Sequence, residues 1–131
     1  VSEGAFVIKN DDKLYMAFSG SGVGPNYSVG LLELSASDNP LNPNAWIKYN
    51  YPVMHSLSQP GEYGPGHNMF VQDKHGDWFN VYHACGIQGG HRHASMKPVH
   101  FRFDGSPTLD MRNEEDLSPD IKSVTLDVVV D

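Results

Sequence analysis

Two ionisable side chains, Glu3 and His67, occupy matching places in this 131-residue chain. When Gly4-Ala5-Phe6-Val7 is laid over Asn68-Met69-Phe70-Val71, the register continues without a gap. Leu14-Tyr15-Met16-Ala17-Phe18-Ser19 then falls on Trp78-Phe79-Asn80-Val81-Tyr82-His83, and polar Asn10-Asp11-Asp12-Lys13 falls on Lys74-His75-Gly76-Asp77. Glu3 therefore stands opposite His67 at the same edge of two equivalent segments. A carboxyl and an imidazole converging on one centre can hold a proton or orient a polar ligand. His83, His91, His93 and His100 invite a zinc reading, and His91 and His93 share one side of a strand. A tight zinc site needs four convergent ligands at short fixed spacing, and no such set is present. Cys85, the single cysteine, excludes an internal disulfide framework and reads as a small, largely buried residue.

The elements that must position these groups are strands. Segments 5–9, 14–21, 27–35 and 46–51 are short and rich in aromatic and β-branched residues. Turn chemistry separates them: Asn10-Asp11-Asp12-Lys13, the glycine-rich 20–26 and the Asn/Pro-rich 37–43. A second set follows at 68–72, 78–83, 94–103 and, more weakly, 108–111, with a hairpin turn at Asp104-Gly105. Each half thus reads strand, charged turn, strand, which is the mark of a repeated blade or solenoid unit. The expected architecture is all-β: two four-stranded antiparallel blades, each with its first strand innermost, forming part of a β-propeller. The blades span 1–60 and 61–112, with one short helical turn near 113–117 and a tail strand within 113–131. Closure of a propeller takes four to eight blades, so two leave apolar faces that further blades or a partner chain must cover.

Composition narrows the function. The formal charge is −7 with nine scattered basic residues, which argues against nucleic acid, whose phosphates call for a clustered basic stripe. No apolar run is long enough to span a membrane as a helix. An acidic, aromatic-rich surface suits a neutral polar ligand. The chain lacks an initiating methionine and opens mid-pattern at Val1-Ser2-Glu3, so a cut N-terminus is expected and the missing leader does not fix the compartment.

Several segments taken in order carry a family resemblance: Val1-Ser2-Glu3-Gly4, Tyr15-Met16-Ala17-Phe18-Ser19, Asn26-Tyr27-Ser28-Val29-Gly30-Leu31, Tyr63-Gly64-Pro65-Gly66-His67-Asn68-Met69-Phe70, Val81-Tyr82-His83-Ala84 and Arg92-His93. From the first residue to about Asp110 the chain resembles the C-terminal part of the five-bladed β-propeller of glycoside hydrolase family 43, the arabinofuranosidase, arabinanase and xylosidase family.

The resemblance implies an inverting glycosidase acting on arabinose- or xylose-containing oligosaccharides of plant cell-wall polysaccharide. It makes Glu3, in the Glu-Gly motif, the general acid. Such an acid delivers a proton to the leaving oxygen while a second carboxylate activates water from the opposite face. Crowding and desolvation keep an acid of this kind protonated near neutral pH. His67 matches the histidine on the propeller axis, which orients water or holds a structural Ca2+ through water; no cofactor is required. Arg92 matches an arginine that reaches the deepest sugar, with a fork suited to hydroxyl groups. Tyr63 and Phe18 are the aromatics offered for sugar stacking, whereas Trp46 and Trp78 read as core. The family's base and third carboxylate have no counterpart, since Asp11, Asp12, Asp38, Asp73 and Asp104 sit in turns. This chain alone is therefore expected to be inactive. Ala5, where relatives often carry proline, and Ser95, where many carry a second basic residue, depart from the pattern. Secretion or a periplasmic location is the compartment expected, with the cytoplasm as the alternative.

The rival reading is a non-catalytic carbohydrate-binding or assembly half-propeller. An interaction propeller of the kelch or WD type lacks support, because neither a recurrent Gly-Gly pair nor a Trp-Asp signature appears.

Overall fold

Alternation of apolar and polar residues builds the first sheet. In Lys13–Gly20 the side chains of Tyr15, Ala17 and Ser19 are buried on one face, while Leu14, Met16 and Phe18 turn to the other. The computed structural model describes residues 1–112, 115 and 125–130. Strands β1 (Ser2–Asn10), β2 (Lys13–Gly20), β3 (Ser28–Ser35) and β4 (Ile47–Lys48) form one antiparallel meander in sequential order. Strand β4 is shorter than the expected 46–51. A 3-10 turn at Pro43–Ala45, capped by the Asn42 side chain, precedes it, and the Trp46 indole N–H donates to the Pro40 carbonyl at 3.1 Å.

The second sheet holds three strands, β5 (Tyr63–Gln72), β6 (Trp78–Cys85) and β7 (Arg92–Pro98). Where one long strand over 94–103 and a fourth strand were expected, β7 stops at Pro98. A separate hairpin follows, of β8 (His100–Phe101) and β9 (Pro107–Thr108) around the Asp104-Gly105 turn. Pro98 pairs with Phe79 and the Val99 N–H still donates to the Trp78 carbonyl at 2.8 Å, while Pro98 itself offers no N–H on its outer side to a further strand. The fold is all-β and antiparallel with almost no helix, and the expected partial propeller stands. Of the expected tail, residues 125–130 carry no strand and are exposed; the remainder, and most of the expected turn at 113–117, falls outside the described residues.

One core lies between the two sheets. Ile8, Tyr15, Ala17, Val29 and Leu31 of the first meet Phe70, Tyr82 and Ala84 of the second, and Val53, Met54, Val99 and Leu109 close the edges. β1 lies against β5, with the Phe6 and Phe70 rings edge to face at 6.0 Å. The outer faces are apolar too. Cross-strand partners Met69, Val81 and Met96 form a row on the second sheet, with Met69 44% and Met96 62% exposed; Val7, Met16 and Leu32 form another on the first.

The internal repeat is real, with a slip of one residue in the inner strands. The β1–β2 turn holds two residues, Asp11 and Asp12, between the paired Asn10 and Lys13. The β5–β6 turn holds three, Lys74, His75 and Gly76, between Asp73 and Asp77, with Gly76 at φ +89°. The extra residue makes Leu14 match Trp78 in the second strands, while Glu3 matches Gly66, and Gly4 matches His67, in the first. The gapless alignment had carried the difference into the inner strands and set Glu3 against His67.

A polar cluster ties the 55–62 loop to the second sheet. The Glu62 carboxylate accepts from the Tyr82 hydroxyl and from Ser95 Oγ, each at 2.7 Å, and lies 3.5 Å from Lys97 Nζ. Lys97 also donates to the buried Gln59 side chain. Ser95, the departure from the family pattern, is thus engaged in holding this loop. Burial alone would raise the Glu62 carboxyl, but the Ser95 and Tyr82 hydrogen bonds and the Lys97 charge together hold it below its ordinary value of 4.5. A depressed carboxyl contributes stability that is present above its unfolded value and lost as pH falls through the folded one. Thermal unfolding should therefore show the midpoint declining below about pH 4.5, with a shallower decline in Glu62→Gln. Glu62→Ala should cost on the order of 2–4 kcal/mol in urea denaturation at neutral pH, because Lys97 and two hydroxyls lose their partner.

Candidate active site

Glu3 sits near the start of β1, where it pairs with Ser19 of β2 immediately before a bulge. Gly4 and Ala5 there stand opposite the single residue Phe18, and Gly4 takes φ +62°. The Glu3 carboxylate is exposed, and its Oε1 accepts the Tyr27 hydroxyl at 2.7 Å. Tyr27 itself is 2% exposed. Burial pushes its phenol above the ordinary value, Ser19 works against that, and Glu3 adds to it. The hydroxyl thus remains a proton donor across the working pH range.

His67 occupies the matching bulge of β5, with His67 and Asn68 opposite Tyr82. It adopts φ +50°, a conformation uncommon for a residue other than glycine. Backbone strain of this kind clusters at functional sites. Two hydrogen bonds hold the bulge in place, and the bare Gly4 backbone packs against its imidazole. The His67 N–H donates to Ser19 Oγ at 2.5 Å across the two sheets, Asn68 Nδ2 donates to the buried Asn80 Oδ1 at 3.0 Å, and a Cβ at Gly4 would lie 3.2 Å from the His67 imidazole. His83, paired with Gly66, stacks on Tyr27 with ring centres 5.6 Å apart and planes 10° apart, and its ring centre is 6.4 Å from that of His67. Burial pushes the His83 imidazole down, and the Arg92 and His67 charges push the same way. It is held neutral.

Beside Tyr27 opens a cleft of about 220 Å3 between the sheets. Tyr63, Cys85 and Arg92 are cross-strand partners that form one wall, and the Gly24-Pro25 loop forms the other. The structure therefore gathers Glu3, His67, Tyr63 and Arg92 around Tyr27 and His83. It does not bring Phe18 to them. Phe18 lies on the opposite face of β2 from Ser19, its ring so close over Gly30 that a Cβ there would fall 2.6 Å from Cζ.

Among the described residues, no three His, Cys, Asp or Glu side chains converge on a point that would hold a metal ion. Also among the described residues, no helix is long and apolar enough to cross a membrane.

Sequence reasoning missed Tyr27, His83 and Ser19 as parts of this constellation. Their mark in the sequence is Gly66, masked by a Gly-Pro-Gly run that reads as a turn: a Cβ there would fall 2.3 Å from Tyr27 Cε1 and 2.9 Å from Ser19 Oγ. Glycine within a strand often marks such a close approach.

A sequence profile described as "Glycosyl hydrolases family 43" matches residues 1–107. The chain is 30% identical over 128 residues to the extracellular exo-alpha-(1->5)-L-arabinofuranosidase of Streptomyces avermitilis, covering 91% of this chain and 27% of that protein. It is 31% identical over 116 residues to alpha-L-arabinofuranosidase 43 of Humicola insolens, covering 82% and 24%. Among solved structures it superimposes on the alpha-L-arabinofuranosidase from Lactobacillus brevis with a TM-score of 0.74 at 27% identity, over 82% of this chain and 36% of that one. A thermostable family-43 glycoside hydrolase gives a TM-score of 0.71 at 32% identity, over 90% and 38%. The chain spans about a quarter of the length of these curated relatives.

The Gly66 contact generates a direct expectation. Gly66→Ala should cost about 1–3 kcal/mol by overpacking against the Tyr27 ring, measured by urea denaturation. Gly22→Ala, which meets nothing within 4 Å, is the control and should leave stability within a few tenths of a kcal/mol.

Proposed function

Because the chain belongs to glycosyl hydrolases family 43, we propose that it is the acid-bearing part of an inverting O-glycosyl hydrolase. Its substrates are α-L-arabinofuranosyl or β-xylosyl units of plant cell-wall polysaccharide. The observation that supports this most is the placement of Glu3: an exposed carboxyl at the inner strand, bonded to a tyrosine that lines a cleft bearing Tyr63 and Arg92. In this reading Glu3 protonates the glycosidic oxygen, Arg92 hydrogen-bonds sugar hydroxyls and Tyr63 offers a ring face. His67 orients polar groups or water at the inner rim. Phe18, on the far face of β2, has a place in substrate binding only toward a neighbouring blade.

Asp11, Asp12, Asp38 and Asp73 lie in turns away from Glu3. The reading therefore assigns the base to further blades or a partner chain seated on the exposed apolar rows at Val7 and Met96. Relatives named as extracellular enzymes favour secretion.

The chain alone should not turn over an aryl arabinofuranoside or xyloside. Joined behind the preceding blades of a family-43 arabinofuranosidase, it should. In that joined enzyme Glu3→Gln should lower kcat on an arabino- or xylo-oligosaccharide by about 10²–10⁴-fold, and on an activated aryl glycoside much less, because a good leaving group needs little protonation. Equal losses on both substrates would remove Glu3 from the role of donor. A joined, folded protein that binds oligosaccharide without turnover would favour the non-catalytic binding half-propeller.

A further inference from the structure

We infer that Tyr27 is a positioning residue for proton donation, holding Glu3 through one carboxylate oxygen so that the other faces the leaving group; this rests on the reading of Glu3 as the acid. Tyr27 donates to Oε1 at 2.7 Å. A proton carried by Glu3 therefore sits on Oε2. As the anomeric C–O bond breaks, that proton passes to the glycosidic oxygen, which departs as an alcohol. Water adds to the anomeric carbon and gives its proton to a carboxylate base. Glu3 ends as a carboxylate, and the Tyr27 hydroxyl already points at the oxygen on which charge develops. A preoriented donor of this kind acts most strongly when that charge appears.

The tyrosine is well fixed for the task. One face of its ring lies on Gly66, where there is no side chain, and His83 stacks on the ring in near-parallel planes. Its own N–H donates to the Gly24 carbonyl at 3.0 Å, so the cleft wall and the ring are fixed together. The hydroxyl that holds Glu3 belongs to a buried ring, while Glu3 itself remains exposed. One oxygen of the Glu3 carboxylate is thereby held by a residue that need not touch the sugar.

The test uses the same joined enzyme. Tyr27→Phe keeps the ring between Gly66 and His83, so the thermal midpoint should stay close to the parent's. Its kcat on the oligosaccharide should fall by about tenfold to a hundredfold, as for loss of a hydrogen bond to a charged group. The activated aryl glycoside should lose little, and KM for both should hold. A substituent with a purely structural role would lower both rates together, and that result, or no change in either, overturns the inference. Glu3→Gln run alongside separates the two readings. If it shows the substrate split and Tyr27→Phe does not, the inference fails alone; if neither shows it, the assignment of Glu3 fails first. Should Tyr27→Phe not fold, 3-fluorotyrosine at position 27 keeps the ring and acidifies the phenol. It must then change the oligosaccharide rate relative to the aryl glycoside, and an unchanged ratio overturns the inference.

Discussion

The arrangement depends on an absence at position 66. Only hydrogen leaves room for the Tyr27 ring to lie against the β5 backbone, with Ser19 Oγ beside it. The two sheets can therefore approach closely at their inner edge, and core packing below, from Phe6 and Phe70 to Leu109, follows from that spacing. The same approach lets the His67 N–H reach Ser19 and lets Tyr27 reach Glu3. Sheet packing and site geometry are thus one constraint, set where the backbone of one sheet meets an aromatic ring of the other.

Much of this was legible in the residues. The aromatic and β-branched segments 14–21 and 78–83 marked the central strands to within a residue or two, and Asp104-Gly105 marked its hairpin, because strand propensity and turn chemistry are local properties. The start of β5 was not legible. Tyr63-Gly64-Pro65-Gly66 reads as a turn by composition, yet it forms a strand with bulges whose glycines answer to Gly24 and Tyr27 across the interface. Such a need is tertiary, and no local rule exposes it. Pro98 could have been read as the end of β7, since a strand interior tolerates it poorly. Glu3, His67, Tyr63 and Arg92, singled out through family motifs, lie around Tyr27 and His83. Phe18 lies apart from them because parity on β2, rather than motif order, decides which face it takes.

The exposed rows on the two outer faces bear on how the molecule persists. Met69, Val81 and Met96 on one side, and Val7, Met16 and Leu32 on the other, have the composition of a buried blade surface. Each residue contributes a modest transfer free energy in isolation, about 1.5–3 kcal/mol when fully buried. Together they make a free half-propeller an adhesive object and a covered one a stable wedge. The Glu62 cluster lies away from these rows and holds the 55–62 loop by polar bonds, so that loop does not depend on what covers the outer faces.

The paired bulges carry a lesson about how repeated units diversify. In the first inner strand the ionisable group stands one place before the left-handed residue, as Glu3 before Gly4; in the second it stands on the left-handed residue itself, as His67 after Gly66. One duplicated backbone motif therefore offers two neighbouring stations from which a side chain can address the rim, at different heights and angles. Descendants of a single ancestral unit can divide labour between those stations without altering the strands that carry them. The repertoire of such a rim grows by choosing stations, and the scaffold beneath stays the same.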